Sequence, residues 1–298
     1  MQAFSDTTSM IFDCYEDELR VKRVGPRTWT NYRATRDRFL RWTTERGLAP
    51  EEVTHRDMLA YIGSMADLEP STVQRHWRTL HAAYTRAAGK YKLIDEDPTE
   101  GLPLPPVRHV RPFAFSAADL RAIKAEITKP QDWLSFHLLA YTGMRAIEAR
   151  RLKWDDVNLV KNTMRVTGKQ TRRGDDERIV PIHPELRAVL LNTRSVLGQH
   201  VLRGRFNSSL SGEMLSETAM IMTIRRNIPS HVQRPARDVC HPIRRAVASS
   251  LRRNGVDLDT IDRLMGWAPA SMRARRYMDF EPADFSRAIL KLWADDPL

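Results

Sequence analysis

Apolar residues along the first ninety positions recur at the three-to-four-residue interval of amphipathic helices. Between Met10 and Val24 they fall at Ile11, Cys14, Tyr15 and Leu19. Trp29, Tyr32, Phe39 and Leu40 continue the spacing, with Arg36 in the same series and several further arginines on the other face. Thr54, followed three residues later by Asp57, has the form of a capping box that opens a short helix through Leu59 and Ile62. Val73, Trp77, Leu80 and Tyr84 make another helix, ended near Gly89. The pattern predicts a four-helix bundle whose aromatic stripe is core rather than a platform for stacking bases. From 95 to 112 the periodicity disappears: five of the seventeen prolines (Pro98, Pro103, Pro105, Pro106, Pro112) fall there, which predicts an extended, semi-rigid linker.

Beyond the linker the pattern changes. Ser116 and Asp119 cap a helix through Leu120, Ile123 and Ile127, and a mostly apolar helix covers Trp133 to Tyr141. Thr163–Thr167 and Arg178–Ile182 read as two short strands around the polar loop GKQTRRGDDE. Helices resume at Pro184–Leu197, Leu215–Arg226, Pro242–Arg253 and Asp259–Met265. Phe285, Ala288, Ile289, Leu292 and Trp293 then form an apolar stripe on a last helix. The fold class is mainly α with a small antiparallel β-sheet: a helical domain over 1–107 and a mixed helix-and-strand domain over 113–298.

Composition narrows the class without choosing a function. With 42% hydrophobic and 29% charged residues among 298, the chain is globular rather than disordered. It has no run of 18 apolar residues, so no spanning helix is expected, and MQAFSDTTSM lacks the basic start and apolar core of an export signal. Cys14 and Cys240 are expected as buried thiols in a cytoplasmic protein. The net charge of +11 comes mostly from arginine, whose planar fork pairs two phosphate oxygens at once. Residues 108–298 hold 33 basic and 21 acidic side chains, whereas 1–107 are nearly balanced. Within the first part, Arg20 to Arg46 alone carries nine basic residues against two acidic ones.

The sequence contains no Gly-rich phosphate loop, no Cys-x-x-Cys, no Gly-x-Ser-x-Gly elbow, and no metal-ligand spacing among its nine histidines. Neither a metal nor a cofactor is expected. What remains is a set of phosphate-binding residue types spread along the second domain. Tyr141-Thr-Gly-Met-Arg-Ala-Ile-Glu148 presents Arg145 after a glycine turn, and Lys169 lies in the hairpin loop. His241 and Arg244 sit one helical turn apart, and Leu264-Met-Gly-Trp267 is followed ten residues later by Tyr277. Each residue alone has a structural explanation: a salt bridge for Arg145, solvent decoration for Lys169, a cap partner for His241, core aromatics for Trp267 and Tyr277.

Taken in order, these pieces resemble the tyrosine recombinase, or phage integrase, family. That family's Thr-Gly-x-Arg-x-x-Glu box is matched by Thr142, Gly143, Arg145 and Glu148, and its hairpin lysine by Lys169 ahead of Arg178-Ile-Val-Pro-Ile182. The His-x-x-Arg box falls on His241 and Arg244, the Leu-Met-Gly-Trp step on Leu264 to Trp267, and the nucleophile on Tyr277. The chain departs from the usual pattern in carrying Arg245 where many members have His, Trp267 where His is usual, and a Trp267–Tyr277 interval one residue longer.

The resemblance implies a site-specific recombinase that breaks and rejoins double-stranded DNA through a 3′-phosphotyrosyl intermediate, without metal or ATP. Arg145, Lys169, His241, Arg244, Trp267 and Tyr277 would be catalytic and Glu148 supporting. The helical domain would be the family's core-binding (SAM-like) domain, forming a C-shaped clamp with the catalytic domain. Arg20, Lys22, Arg23, Arg27, Arg33, Arg36, Arg172 and Arg173 are candidate DNA contacts. The resemblance further implies a dimer on each site, a tetramer in synapsis linked by the terminal helix, accessory DNA-bending or directionality proteins, no membrane, and action at the nucleoid or in a virus-infected prokaryotic host. No arm-binding module is expected. A non-catalytic DNA-binding regulator, a type IB topoisomerase and a telomere resolvase are the rival readings.

Overall fold

The computed structural model describes residues 9–108, 112–168, 177–193, 199–206, 209–236, 238–267 and 282–298. The chain divides into two compact units, Met1–Val110 and Arg111–Leu298.

The first unit is built from α1 (Met10–Val21), α2 (Pro26–Thr44), α3 (His55–Gly63) and α4 (Pro70–Arg86). Proline opens both α2 and α4, where its missing N–H would have had no helical partner. At α3 the Thr54 hydroxyl accepts from the Asp57 amide (3.3 Å) and the Asp57 carboxylate accepts from the Thr54 amide (3.0 Å), so two helix-start donors are satisfied reciprocally. The aromatic stripe is core. Phe39 meets Tyr61, Phe12 and Tyr84 edge-on at 4.9, 5.9 and 6.0 Å between ring centroids. The buried phenols of Tyr32 and Tyr84 donate to the carbonyls of Phe12 and Pro50. α4 runs on through a single π-turn, Ala87–Tyr91, and stops at left-handed Lys92 (φ 54°).

The proline-rich stretch is less linker than its composition suggests. Pro98, Thr99 and Leu102 are buried in the first unit, where the Thr99 carbonyl accepts from the Trp77 indole (3.2 Å) and the Pro105 carbonyl from Gln74 (3.1 Å). These contacts belong to the chain's path along its own helices.

The second unit centres on α6 (Pro130–Thr142), buried almost all round, as its apolar sequence requires. Around it lie α5 (Ala117–Ala125), α7 (Ala146–Arg151), α8 (Pro184–Thr193), α9 (Glu217–Arg225), α10 (Cys240–Arg253), α11 (Leu258–Met265) and α12 (Pro282–Leu290). Ser116 and Asp119 form the expected capping box at α5. The two expected strands pair antiparallel as β2 (Thr163–Thr167) and β3 (Glu177–Pro181), with Thr163 opposite Pro181, and β1 (Val157–Asn158) adds a short third strand. A second hairpin, β4 (Arg203–Phe206) with β5 (Ser209–Met214), was not expected. Its strands are rich in Gly, Ser and Arg and carry little β-propensity.

In the single chain, Ala288, Ile289, Leu292 and Trp293 of the terminal stripe are buried on the second unit. The Trp293 indole donates to the Ala140 carbonyl and its amide to the Ser250 hydroxyl, both at 3.0 Å, while Asp295 accepts from Arg253 and Asn254. Burying Ile289 and Leu292 contributes ~1.5–3 kcal/mol each, which holds the segment where it lies. Among the described residues no helix is long and apolar enough to cross a membrane, and both cysteines are free thiols.

Candidate active site

The site begins where α6 ends. Gly143 takes a left-handed conformation (φ 63°), and a Cβ there would lie 2.6 Å from Met265 Cε and 3.1 Å from Val247 Cγ1. Only glycine meets both requirements. The turn delivers Arg145 to the start of α7, where Glu148, three residues on, reaches back to the Arg145 amide (2.9 Å).

Glu148 does more than cap. Its carboxylate is fully buried and gathers three guanidinium groups from three elements. Arg145 donates from Nη1 (2.7 Å), and Arg178 of β3 makes a two-point pair (2.8 and 3.2 Å). Arg244 of α10 stands 4.0 Å away. The same three arginines hold three successive carbonyls at the end of α11. Arg178 Nε donates to Leu264 (2.9 Å), Arg244 Nη2 to Met265, and Arg145 Nη2 to Gly266 (2.9 Å). The negative end of the helix dipole thus faces the cationic cluster. Gly266 (φ 62°) allows that approach, since a Cβ would come 2.8 Å from Arg178 Nη1. Arg244 also donates to the Gly143 carbonyl (2.5 Å), which ties the turn to α10.

Three cations surround one anion. Burial, with the nearby Arg145 and Arg178 charges, pushes the Arg244 guanidinium down to about 9, and Glu148 only partly offsets the shift. Burial would raise the Glu148 carboxyl, but its bonds to Arg178 and Arg145 outweigh that and hold it below the usual carboxylate range. Such a cluster attracts a further anion. Arg145, with 32% of its side chain exposed, and Trp267, 39% exposed, open it to solvent; Arg178 and Arg244 are recessed. The Arg244 guanidinium lies 5.2 Å from the Trp267 ring centroid, a cation–π contact.

His241, in the first turn of α10, shares a face with Arg244 three positions on. Its Nδ1 bonds the Asp238 carboxylate, whose other oxygen accepts from the Cys240 (2.8 Å) and His241 (3.3 Å) amides. Burial works against the ionised Asp238, yet these bonds keep its carboxyl below the ordinary value. The Cys240 thiol is buried and pushed up to about 12, mainly by burial. Arg245 donates to the Phe113 carbonyl (2.8 Å), a structural use for the residue that replaces the family's usual His.

Arg145, Glu148, Arg244 and Trp267 therefore come together, and His241 stands on the same helix face as Arg244. Lys169, Arg172, Arg173 and Tyr277 lie outside the described residues. In the first unit the basic stretch is less free than its count suggests. Arg20 pairs with Glu16 and Asp17, Lys22 with Glu18, and Arg36 with Glu16 and Asp37. Arg33 lies over the Trp29 ring, and Arg23 and Arg27 are exposed. Sequence reasoning missed two site residues. Strand alternation puts Arg178 on the face of buried Val180, a legible signal that Arg178 points inward. Asp238 stands where a helix-start acceptor is common, ahead of Pro242.

The Phage integrase family model matches residues 118–283. Tyrosine recombinase XerD of Pseudomonas aeruginosa is 27% identical over 272 residues, covering 88% of this chain and 90% of that protein. Tyrosine recombinase XerD of Lacticaseibacillus casei is 26% identical over 267 residues, covering 85% and 88%. Among solved structures, a lambda integrase tetramer bound to a Holliday junction matches with a TM-score of 0.70 at 17% identity, covering 93% of this chain and 86% of that one. The Tn1549 transposon integrase in complex with a circular intermediate DNA matches with a TM-score of 0.65 at 16% identity, covering 94% and 98%. These structural likenesses concern the fold.

Proposed function

Because this chain belongs to the phage integrase family, whose model spans more than half of it, we propose that it is a site-specific DNA recombinase working through a covalent 3′-phosphotyrosyl intermediate. The observation that carries this reading is the cluster of Arg145, Arg178 and Arg244 on one buried carboxylate, three cations to one anion among the described residues. A phosphodiester in exchange gains negative charge on two non-bridging oxygens as phosphorus becomes five-coordinate. Arg145 and Arg244 meet that charge with preoriented donors, and loss of one such donor costs on the order of 3 kcal/mol in the barrier.

The remaining roles follow the chemistry. The Tyr277 oxygen attacks phosphorus, the bond to the 5′ oxygen breaks, and a free 5′-hydroxyl remains. A tyrosine titrates near ~10 in water, so His241 takes its proton and later returns it, while Lys169 protonates the departing 5′ oxygen. Trp267 offers its indole N–H to the phosphate. The phosphotyrosyl ester retains the free energy of the broken bond, so a 5′-hydroxyl can attack it and reseal the strand without ATP.

Duplex DNA is the partner, and Arg23, Arg27 and Arg33 of the first unit are the candidate phosphate contacts there; binding through them weakens steeply with salt. The similarity to lambda integrase, solved as a DNA-bound tetramer, supports self-association on DNA. Accessory bending or directionality proteins and action at the nucleoid are consistent with this role.

The test uses a duplex site selected by the protein itself from a random-sequence pool. Two copies placed on a supercoiled plasmid should give deleted or inverted products. Relaxation without exchange would instead support a topoisomerase, hairpin ends a telomere resolvase, and binding without strand cleavage a regulator.

A further inference from the structure

His241 is more than half exposed, and an isolated imidazole in that position would sample both tautomers and several rotamers. Asp238 removes that freedom. Its Oδ1 is fixed by the backbone amides of Cys240 and His241, and its Oδ2 by the His241 ring itself. An ionised carboxylate only accepts hydrogen bonds, so Nδ1 carries the proton and Nε2 presents a lone pair. The two groups are three residues apart at the start of α10, and the backbone bonds keep the carboxylate from swinging away with solvent.

We propose that Asp238 is a positioning residue that pairs with His241 to form a carboxylate–imidazole dyad acting on the nucleophile, an inference that rests on the recombinase reading above. In cleavage the phenolic O–H bond of Tyr277 breaks and its proton passes to His241 Nε2. The phenolate oxygen bonds phosphorus, and the bond to the 5′ oxygen breaks. The imidazolium so formed faces the Asp238 carboxylate, which stabilises its charge. In rejoining, the proton on Nε2 returns to the tyrosine as the phosphotyrosyl bond breaks. The carboxylate orients and stabilises the base without taking the proton itself, as in hydrolase triads.

The dyad can contribute no more than general-base catalysis as a whole, ~10²–10⁴-fold. Asp238 is 43% exposed on its side chain, and water dilutes its effect, so its removal should slow adduct formation about 10- to 100-fold. Asn at this position still caps the helix start, which keeps the fold of Asp238→Asn.

Two measurements on the full chain decide the matter. Nitrogen-15 spectra, with the His241 signals identified by their loss in His241→Gln, should show Nδ1 protonated in the wild type and a changed tautomer balance in Asp238→Ala. On a nicked duplex of the selected site, Asp238→Asn and Asp238→Ala should form adduct about 10- to 100-fold more slowly, with DNA affinity held within about twofold and partial recovery in Asp238→Glu. The deficit should persist on a 5′-bridging phosphorothiolate, whose sulfur departs without a proton. Recovery there would mean that the dyad serves the leaving group, and would overturn the assignment to the nucleophile. Wild-type rates in Asp238→Asn, or an Nε2-protonated His241 in an active enzyme, would overturn this inference alone. A wild type that binds its selected site but never forms an adduct would overturn the recombinase reading and the dyad's role with it.

Discussion

Glu148 is the side chain on which the site is hung, and Glu148→Gln tests that directly. Its carboxylate is fully buried, pairs with Arg145 and Arg178, and lies 4.0 Å from Arg244. Breaking a buried pair by removing one partner costs ~3–5 kcal/mol, because the charge left behind is uncompensated. Gln keeps the volume and one acceptor oxygen but turns an NH₂ towards guanidinium groups. The lower end, about 3 kcal/mol, is therefore the expected loss. For a folding unit of 150–250 residues, each kcal/mol moves Tm by ~2–4 °C, so the second unit should melt roughly 6–12 °C earlier.

The assay is calorimetry of the full chain with sulfate titrated in. An anion bound at the cluster stabilises the folded state by mass action. The variant, with its cations unbalanced, should recover more Tm per decade of sulfate than the wild type. The difference should also depend on pH. The Glu148 carboxyl titrates below its ordinary value of 4.5, so its stabilisation is complete above that pH and is lost as pH falls through its lowered folded value. Wild type and variant should converge in acid. A loss under about 1 kcal/mol, with no selective recovery in sulfate, would refute the view that Glu148 holds three cations together.

Two further outcomes follow from the same unit. Gly143→Ala places a methyl 2.6 Å from Met265 Cε in a left-handed turn, and should cost about 2–4 kcal/mol in denaturant unfolding, with partial recovery in Gly143→Ala/Met265→Ala. His137, between the Trp133 and Tyr141 rings, is pushed down by burial to about 4. Its folded value lies below its unfolded 6.5, so it contributes stability that is present above pH 6.5 and lost as pH falls towards 4, roughly 3 kcal/mol in all. His137→Phe should flatten that part of the stability–pH curve.

What the sequence disclosed, it disclosed through local rules. The capping boxes at Thr54 and Ser116, the glycine stop before Arg145, and the alternation of β2 and β3 each express a constraint within a few residues. What it left open was partly hidden by where the count began and partly set by distant residues. Arg20 and Lys22 pair with Glu16, Asp17 and Glu18 within one helical turn, just ahead of the counted stretch, whereas Arg36 pairs with Glu16 twenty residues away. The terminal stripe was apolar on any reading, but which surface covers it depends on Ala140 and Ser250, more than forty residues away in sequence. The arginine cluster was half legible. Motif order located Arg145 and Arg244, whereas Arg178 joins them only because β3 runs past α11, a tertiary fact that no window of the sequence contains.

The central claim is that the Arg145–Arg244 cluster serves a covalent exchange on Tyr277. Its most direct measurement is recovery of the protein–DNA adduct from a nicked selected site under denaturing conditions, with the linked peptide sequenced by mass spectrometry. Cleavage by Tyr277 should leave a phosphodeoxynucleotide on that residue, no adduct in Tyr277→Phe, and an undiminished adduct in Tyr141→Phe, whose ring is buried between His137 and His183. Linkage at another residue, or an adduct that survives in Tyr277→Phe, would contradict it.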